Sequence, residues 1–226
     1  MSENVGRFKA LRKLMFYRPQ WDVMNLQGSD ECLHWNTRDL IMLDKAIMLC
    51  KRTEVAVQAG SNLGLFPKRL AETFEEVYTF EPDEKLSEYA RLNAPEYNIF
   101  HFQAALGNSN EPVSLGYGRR GDTDRRVHEG LTHVNGSGDI PQMMLDDLKL
   151  TACDLIYLDI EGYELFALRG AERTIDRHRP VIGVEINSRL KNYGLKSDDV
   201  RDWFKERNYA RVFRLHKDEV YVPCSP

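Results

Sequence analysis

Short runs of apolar residues alternate along this chain with longer stretches in which apolar positions recur every three or four residues. Short apolar runs bounded by turn residues indicate buried strands, and the three-to-four spacing indicates helices with one buried face. The pattern predicts buried strands at residues 55–57, 77–80, 99–102, 155–158 and 181–186. It predicts helices over residues 36–51, 67–76, 83–94, 141–150, 163–177 and 197–207.

Three other segments have weaker patterns. Residues 113–117 are a weaker strand candidate, and residues 116–138 are predicted to be a loop because they hold six of the fifteen glycines. Residues 210–215 and 219–222 are predicted to form an antiparallel hairpin at the C-terminal end.

Strands that are separated by helices are typical of βαβ units. We therefore predict an α/β fold, a Rossmann-like three-layer sandwich with a mostly parallel sheet and a C-terminal antiparallel hairpin. In open parallel sheets, ligands bind at the carboxyl ends of the strands, near the point where the strand order reverses. The candidate site segments are therefore residues 58–64, 81, 103–107, 159–162 and 185.

The N-terminal region has a different character, since residues 1–20 carry five basic side chains and one acid. Its apolar positions fall at helical spacing, at Val5, Phe8, Leu11 and Met15. We expect residues 1–52 to form a helical arm that packs on a core domain of residues 53–226. For the basic segment of residues 1–20, a lid or a partner-binding element is the alternative.

Composition and charge exclude several classes of protein. The 226 residues include 31 basic and 35 acidic side chains, a net charge of −4 that argues against a nucleic-acid binder. The four cysteines, at residues 32, 50, 153 and 224, form no CxxC pair and no zinc-ligand spacing, so we expect reduced thiols in a cytoplasmic protein. The sequence shows neither a signal-peptide core nor a run of ~18 apolar residues that could span a membrane.

A glycine turn follows the first predicted strand, with Gly60 and Gly64 four residues apart. Glycine lets the backbone approach a ligand closely, although many such turns are only tight connections. The spacing is not that of the dinucleotide fingerprint GxGxxG. Glu81 ends the second strand, 21 residues after Gly60, where a carboxylate can accept hydrogen bonds from both ribose hydroxyls. The two features together indicate a ligand that contains a nucleoside, unless Glu81 is only an exposed acid before a helix.

An acidic cluster follows the fourth predicted strand, where Asp159, Glu161 and Glu164 come directly after four apolar residues. Burying unpaired carboxylates is costly, so we expect them to face a cleft, a helix N-terminus or a cation. Glu161 and Glu164 could instead be first-turn helix acids that favour the helix dipole. Asp159, Glu161 and Glu185 could also hold Mg²⁺, but we expect no resident metal.

Five sequence blocks in order resemble the successive motifs of FkbM-family methyltransferases, over about residues 53–187. They are VAVQAGSNLGLFP, FEPDEKLSEYARLN, QAALGN, MMLDDL and DLIYLDIEGYELFALRGAERTIDRHRPVIGVEIN. The resemblance implies a class I methyltransferase fold and S-adenosyl-L-methionine (SAM) as cofactor. Carried over by position, it implies that Gly60 lies under the methionine portion, that Glu81 binds the ribose and that residues 103–105 flank the adenine. It implies these cofactor-binding residues: Gln58, Gly60, Asn62, Gly64, Glu81, Gln103, Ala104, Ala105 and Asp159.

One position departs from the family pattern, since Gln58 stands where such proteins usually carry Asp. An amide oxygen can still accept a hydrogen bond from the SAM ammonium, but without the charge-assisted part. The departure motivates an alternative function, a SAM-binding partner protein that no longer catalyses. A dinucleotide-dependent enzyme is disfavoured because the third glycine of its fingerprint is missing. Replacing Gly60 by valine is expected to block cofactor binding while leaving the fold largely intact.

The reaction that the resemblance implies is methyl transfer to a hydroxyl of a sugar or another small polar molecule. A hydroxyl acceptor needs a base as its charge develops. Asp159 and Glu161 are the first candidates, and His128 and His133 are the second because imidazole titrates near neutral pH. Residues 116–138 would form a mobile lid over a small-molecule or glycan acceptor, or else an insertion without that role. The sequence determines neither the acceptor nor the oligomeric state.

Overall fold

A seven-stranded sheet forms the centre of the computed structural model, which describes residues 36–117 and 132–224. Its strands are β1 (Val55–Ala59), β2 (Glu76–Phe80), β3 (Ile99–Phe102), β8 (Leu155–Leu158), β9 (Val181–Glu185), β10 (Tyr209–Leu215) and β11 (Asp218–Pro223). Two small two-stranded sheets pair β4 (Ala105–Leu106) with β7 (Gln142–Met143) and β5 (Val113–Tyr117) with β6 (Thr132–Ser137). The five predicted core strands and the closing hairpin are thereby confirmed.

The strand order is β10-β11-β9-β8-β1-β2-β3, and every strand runs parallel to the others except β11. The chain leaves β1 toward β2 and β3 on one side and returns to β8 on the other. The order therefore reverses at β1, and the carboxyl ends of β1, β2 and β8 meet at the switch point where ligands bind in such sheets.

Helices cover both faces of the sheet, which confirms the three-layer prediction. They are α1 (Asn36–Leu49), α2 (Leu65–Ala71), α3 (Glu84–Asn93), α4 (Glu164–Arg169), α5 (Glu172–His178) and α6 (Ser197–Glu206). One core cluster packs the first face of the sheet against α4, α5 and α6, with Leu168 and Phe204 fully buried. The other packs the opposite face against α1 and α2, with Leu43 and Leu70 fully buried.

The C-terminal hairpin reaches the carboxyl edge of the sheet. Strand β11 inserts between β9 and β10, antiparallel to both, and Asp218 pairs with Glu185 at the end of β9. The N–H of Ile186 donates to the carbonyl of Lys217 at 2.7 Å. The hairpin turn therefore lies beside the end of β9.

The helix predicted over residues 67–76 spans Leu65–Ala71, and two other predicted helices differ more from the structure. Residues 141–150 form strand β7 and a 3₁₀ helix (Leu145–Leu148), and the helix predicted over residues 163–177 is divided into α4 and α5. The Asp146 carboxylate accepts hydrogen bonds from the N–H groups of Arg173 and Thr174, at 3.0 and 2.8 Å. A side chain from a distant segment therefore caps α5, which a local pattern does not reveal. Within the loop predicted over residues 116–138, residues 116–117 end β5 and residues 132–137 form β6, while residues 118–131 lie outside the described residues.

The described part of the predicted N-terminal arm is α1, which contacts β8, β9 and β11. Residues 1–35, including the predicted basic helix and Cys32, lie outside the described residues, and the domain division at residue 52 stays a prediction. Cys50, Cys153 and Cys224 are free thiols. Within residues 36–117 and 132–224, none of the helices has the length and apolar character that a membrane crossing requires.

Candidate functional site

The glycine turn at the end of β1 holds three strand ends together. The N–H groups of Gly60 and Ser61 both donate to the carbonyl of Phe80 at the end of β2, at 2.9 and 3.3 Å. Gly60 has φ +85°, and a Cβ on it would overlap the carbonyl oxygen of Asp159, which follows β8. Glycine is therefore required here by close packing as well as by backbone conformation. The expectation that Gly60→Val leaves the fold largely intact is wrong for this reason.

Glu81 faces the glycine turn from the end of β2. Its carboxylate is buried and accepts hydrogen bonds from the N–H groups of Asn62, at 2.8 Å, and Asp83, at 3.2 Å. Asn62 has a left-handed backbone with φ 48°, and Gly64 follows it at the start of α2. The structure thus brings Asn62, Gly64 and Glu81 together at the switch point, while their contacts to a cofactor stay a prediction.

Gln58 lies in β1 beneath this turn, between Thr79 of β2 and Tyr157 of β8 in the register. It is fully buried, and its Oε1 accepts a hydrogen bond of 2.5 Å from the Thr79 hydroxyl. Its Nε2 and the Ser61 hydroxyl are buried without a hydrogen-bond partner in the described part of the chain. The group that Gln58 leaves open is therefore a donor, whereas the family resemblance implies an acceptor.

The segment that follows β3 lies at the same edge. The N–H of Glu81 donates to the carbonyl of Phe102 at 3.0 Å, which joins this segment to the Glu81 position. Ala104 and Ala105 are buried, Gln103 is half-buried, and the N–H of Ala105 donates to the carbonyl of Pro141 at 2.9 Å. The structure therefore places the predicted adenine-flanking residues beside Glu81, and their role stays a prediction.

Three carboxylates meet where β8 and β9 end. One oxygen from each of Asp159, Glu161 and Glu185 lies within 4.8 Å of the others, and Glu185 is almost fully buried. Two of the three carboxylates have a cation as partner, since Arg189 pairs with Glu161 and Lys217 pairs with Glu185. We name these five residues the charge cluster.

The cluster has three acids and two cations, so its net charge is −1. Burial raises the pKa of Asp159 above its ordinary value, and the positive charges of Lys217 and Arg189 act in the opposite direction. The carboxylates are close enough for one Mg²⁺ to contact all three. Two of them already have protein cations as partners, however, and a metal ion would compete with those cations.

Glu164 lies apart from this cluster, as the first residue of α4. Its fully buried side chain turns back toward the preceding loop and accepts hydrogen bonds there. Burial is the main cause that raises the pKa of Glu164 to about 7, and the nearby charge of Asp159 adds to it. Glu164 therefore lies in the first turn of a helix, as one of the two alternatives predicted, but its side chain binds N–H groups of the preceding loop.

The two histidine candidates have different outcomes. His128 lies outside the described residues, and its role stays a prediction. His133 is half-buried on β6, and the next residue, Val134, accepts a hydrogen bond of 2.9 Å from the Tyr193 hydroxyl. Tyr193 belongs to the 3₁₀ helix Ser188–Tyr193, which also carries Arg189. The hairpin of His133 is thereby joined to the segment beside the charge cluster.

Sequence reasoning missed both cations of the cluster. Lys217 lies between the two strands of the predicted hairpin, and Arg189 follows β9 in a segment without a motif. Both lie at the carboxyl edge once the strand order is known, because the β10–β11 turn and the end of β9 share that edge. The acidic residues among 159–164 and at 185 were the available signal, because buried carboxylates require cations or hydrogen-bond donors as partners.

A comparison with protein families adds to this geometry. The Methyltransferase FkbM domain matches residues 58–210, which is more than half of the chain. The chain belongs to the FkbM methyltransferase family. The matched FkbM region begins at Gln58 and includes the glycine turn, Glu81 and all of the charge cluster except Lys217.

Solved structures show the same fold around this FkbM region. A methyltransferase FkbM from Methylobacillus flagellatus KT is similar with 21% identity and a TM-score of 0.50, over 75% of this chain and 43% of that protein. The chain thus spans less than half of that relative. A ribosomal protein L11 methylase from Lactobacillus delbrueckii subsp. bulgaricus is similar with 12% identity and a TM-score of 0.50, over 83% of this chain and 78% of that protein. These likenesses show the class I methyltransferase fold, and no curated protein matches the chain.

Proposed function

We propose that this chain is a SAM-dependent O-methyltransferase whose acceptor is a hydroxyl of a sugar or of another small polar molecule. The observation that carries the proposal is the position of the Glu81 carboxylate. It is fixed at the switch point against the glycine turn, and only β1 separates its strand from β8, which leads to Asp159. A nucleoside cofactor bound by Glu81 would extend over Gly60 toward Asp159.

The residues at this edge fit such a cofactor. Glu81 offers a carboxylate for ribose hydroxyls, and the buried Gln58 Nε2 and Ser61 Oγ lack partners that a polar ligand would supply. The open donor on Gln58 suits the carboxylate end of an amino acid. When bound, SAM supplies a methyl group on a sulfonium sulfur that is already activated, so the protein has to align the acceptor and remove its proton.

Asp159 is the proposed base that takes the proton from the acceptor hydroxyl. Its raised pKa makes it a stronger base than an exposed aspartate, and it lies at the end of β8, next to the glycine turn. Glu161 is the second candidate, but its ion pair with Arg189 weakens it as a base. His133, with its hairpin joined to the Arg189 segment, would act as a further acid or base, as would His128.

The test combines binding with turnover. Calorimetry with SAM and with its demethylated product should show binding, and a panel of hydroxylated acceptors should show methyl transfer. Asp159→Asn should lower the transfer rate about 100-fold or more. The matched control is Asp202→Asn, which changes an exposed aspartate on α6 and should leave the rate unchanged.

Two results would overturn the proposal in different places. Tight binding of a nicotinamide dinucleotide without binding of SAM would overturn the cofactor. Binding of SAM without transfer to any acceptor would overturn catalysis and leave the alternative, a SAM-binding partner protein, as the function.

A further inference from the structure

The loop between β8 and α4 has an unusual backbone. Glu161 and Gly162 are both left-handed, with φ 59° and φ 99°. A left-handed conformation is unfavourable for a residue with a Cβ, so Glu161 adopts it only because its surroundings hold it there. A Cβ on Gly162 would lie 2.7 Å from the carbonyl carbon of Arg189, so this loop packs directly on the 3₁₀ helix Ser188–Tyr193.

Glu164 is the side chain that holds this loop from inside. Its Oε1 accepts hydrogen bonds from the N–H of Ile160, at 3.1 Å, and from the N–H of Gly162, at 3.2 Å. These two N–H groups belong to the residues directly before and after Glu161. The side chain is fully buried, so water cannot replace Oε1 as the acceptor for these N–H groups without opening the loop.

The position of the acid on α4 does not by itself explain this arrangement. Any exposed acid in a first turn would favour the helix dipole, as Glu84 does at the start of α3. Glu164 is buried instead, although burial of a carboxylate is costly and its Oε2 has no hydrogen-bond partner in the described residues. The contacts of this buried carboxylate are with N–H groups of the loop, so its structural effect is on the loop conformation.

We propose that Glu164 is a positioning residue of the methyl-transfer site. It fixes the loop that projects Glu161 toward Arg189 and that begins at Asp159, and so it sets where these two carboxylates meet the acceptor. The inference rests on the proposed function, because it assigns Glu164 to the reaction carried out at Asp159. Glu164 itself does not touch the reacting atoms.

The experiment compares Glu164→Ala with Glu164→Gln, and uses Glu84→Ala as the matched first-turn control. An amide oxygen can still accept both N–H bonds, so Glu164→Gln should keep kcat within about fivefold of the wild type. Glu164→Ala should lower kcat about 100-fold, the order expected when reacting groups are misplaced by about 1 Å. Its affinity for the demethylated cofactor product should fall much less than kcat, because Glu81 and the glycine turn lie on other loops and only Asp159 of the predicted cofactor residues belongs to this one. Glu84→Ala should leave kcat unchanged.

Several results would overturn the inference. They are wild-type kcat in Glu164→Ala, an equal loss in Glu164→Gln and Glu164→Ala, or a parallel loss of kcat and cofactor affinity. If Glu164→Ala does not fold, Glu164→Asp replaces it, since the shorter side chain keeps the charge but cannot reach both N–H groups.

Hydrogen exchange separates this inference from the proposed function. In Glu164→Asp, the amides of Ile160 and Gly162 should exchange at least about tenfold faster than in the wild type, and in Glu164→Gln they should stay protected. Unchanged exchange in Glu164→Asp would overturn the inference even if the enzyme is active. A wild-type protein that transfers no methyl group would overturn the proposed function, and with it the link to catalysis, whatever the exchange rates show.

Discussion

Glu164 gives the molecule a pH-dependent stability that can be isolated with one substitution. The pKa of its carboxyl group rises from 4.5 to about 7 in the folded protein, mainly because the group is buried. Between these two values the folded state holds a proton that the unfolded state has released. The free energy of unfolding should therefore fall as the pH rises through this window.

The size of the effect follows from the two pKa values. The difference between 4.5 and about 7 is about 2.5, and each pKa unit corresponds to about 1.4 kcal/mol. Below pH 4.5 the burial of Glu164 causes no pH-dependent loss of stability. Above pH 7 it should lower the free energy of unfolding by about 3 kcal/mol. Glu164→Gln removes this titration. In this variant, the amide Nε2 would take the position of Oε2, where residues 36–117 and 132–224 offer no hydrogen-bond partner. The unpaired buried donor would lower the free energy of unfolding by an amount that does not depend on pH.

Urea unfolding at a series of pH values from 4.5 to 8 provides the assay. The wild-type free energy of unfolding should fall by about 3 kcal/mol more than that of Glu164→Gln over this range. Glu84→Gln, which removes an exposed first-turn acid, should follow the wild-type curve. Parallel curves for the wild type and Glu164→Gln would refute the reasoning, because they would mean that burial does not alter this group.

Three other substitutions test the edge of the sheet. Gly60→Ala should lower the free energy of unfolding by at least about 2 kcal/mol in urea titrations, since it adds a clash to a left-handed backbone. Gly136→Ala, with φ +71° and open space around it, should cost less, and equal losses would contradict the packing argument. Glu81→Ala should weaken SAM binding by about 1.5–3 kcal/mol in calorimetry, and unchanged affinity would remove Glu81 from the ribose role. Lys217→Met should cost about 3 kcal/mol of unfolding free energy because it strands the buried Glu185. Adding Glu185→Gln to Lys217→Met should recover part of that loss. No recovery in the double variant would mean that Lys217 and Glu185 are not energetically coupled.

Local patterns predicted the sheet well because burial of apolar runs is a property of each segment alone. The run at 155–158 is an example, since all four residues of β8 are buried. The same patterns failed at residues 163–177, where Asp146 caps α5 from another part of the chain. A capping contact between distant segments leaves no signal in the helical spacing itself.

The candidate site was predictable to the same degree. Glu81 and Asp159 end strands, so their position followed from the strand pattern and the switch-point rule. Arg189 and Lys217 could not be found in this way, because an ion pair depends on which strand ends become neighbours in the sheet. The orientation of Gln58 was also hidden, since its hydrogen bond to Thr79 depends on the register of β1 and β2.

The insertion of β11 between β9 and β10 sets an order of assembly for the carboxyl edge of the sheet. Lys217 reaches Glu185 only when the β10–β11 hairpin docks beside β9, so this carboxylate precedes its counter-ion along the chain by about thirty residues. Removal of residues 209–224 would take away the cation that pairs with Glu185, together with the strand that pairs with β9. Neutralisation of the Glu185 carboxylate is therefore coupled to docking of this hairpin against β9.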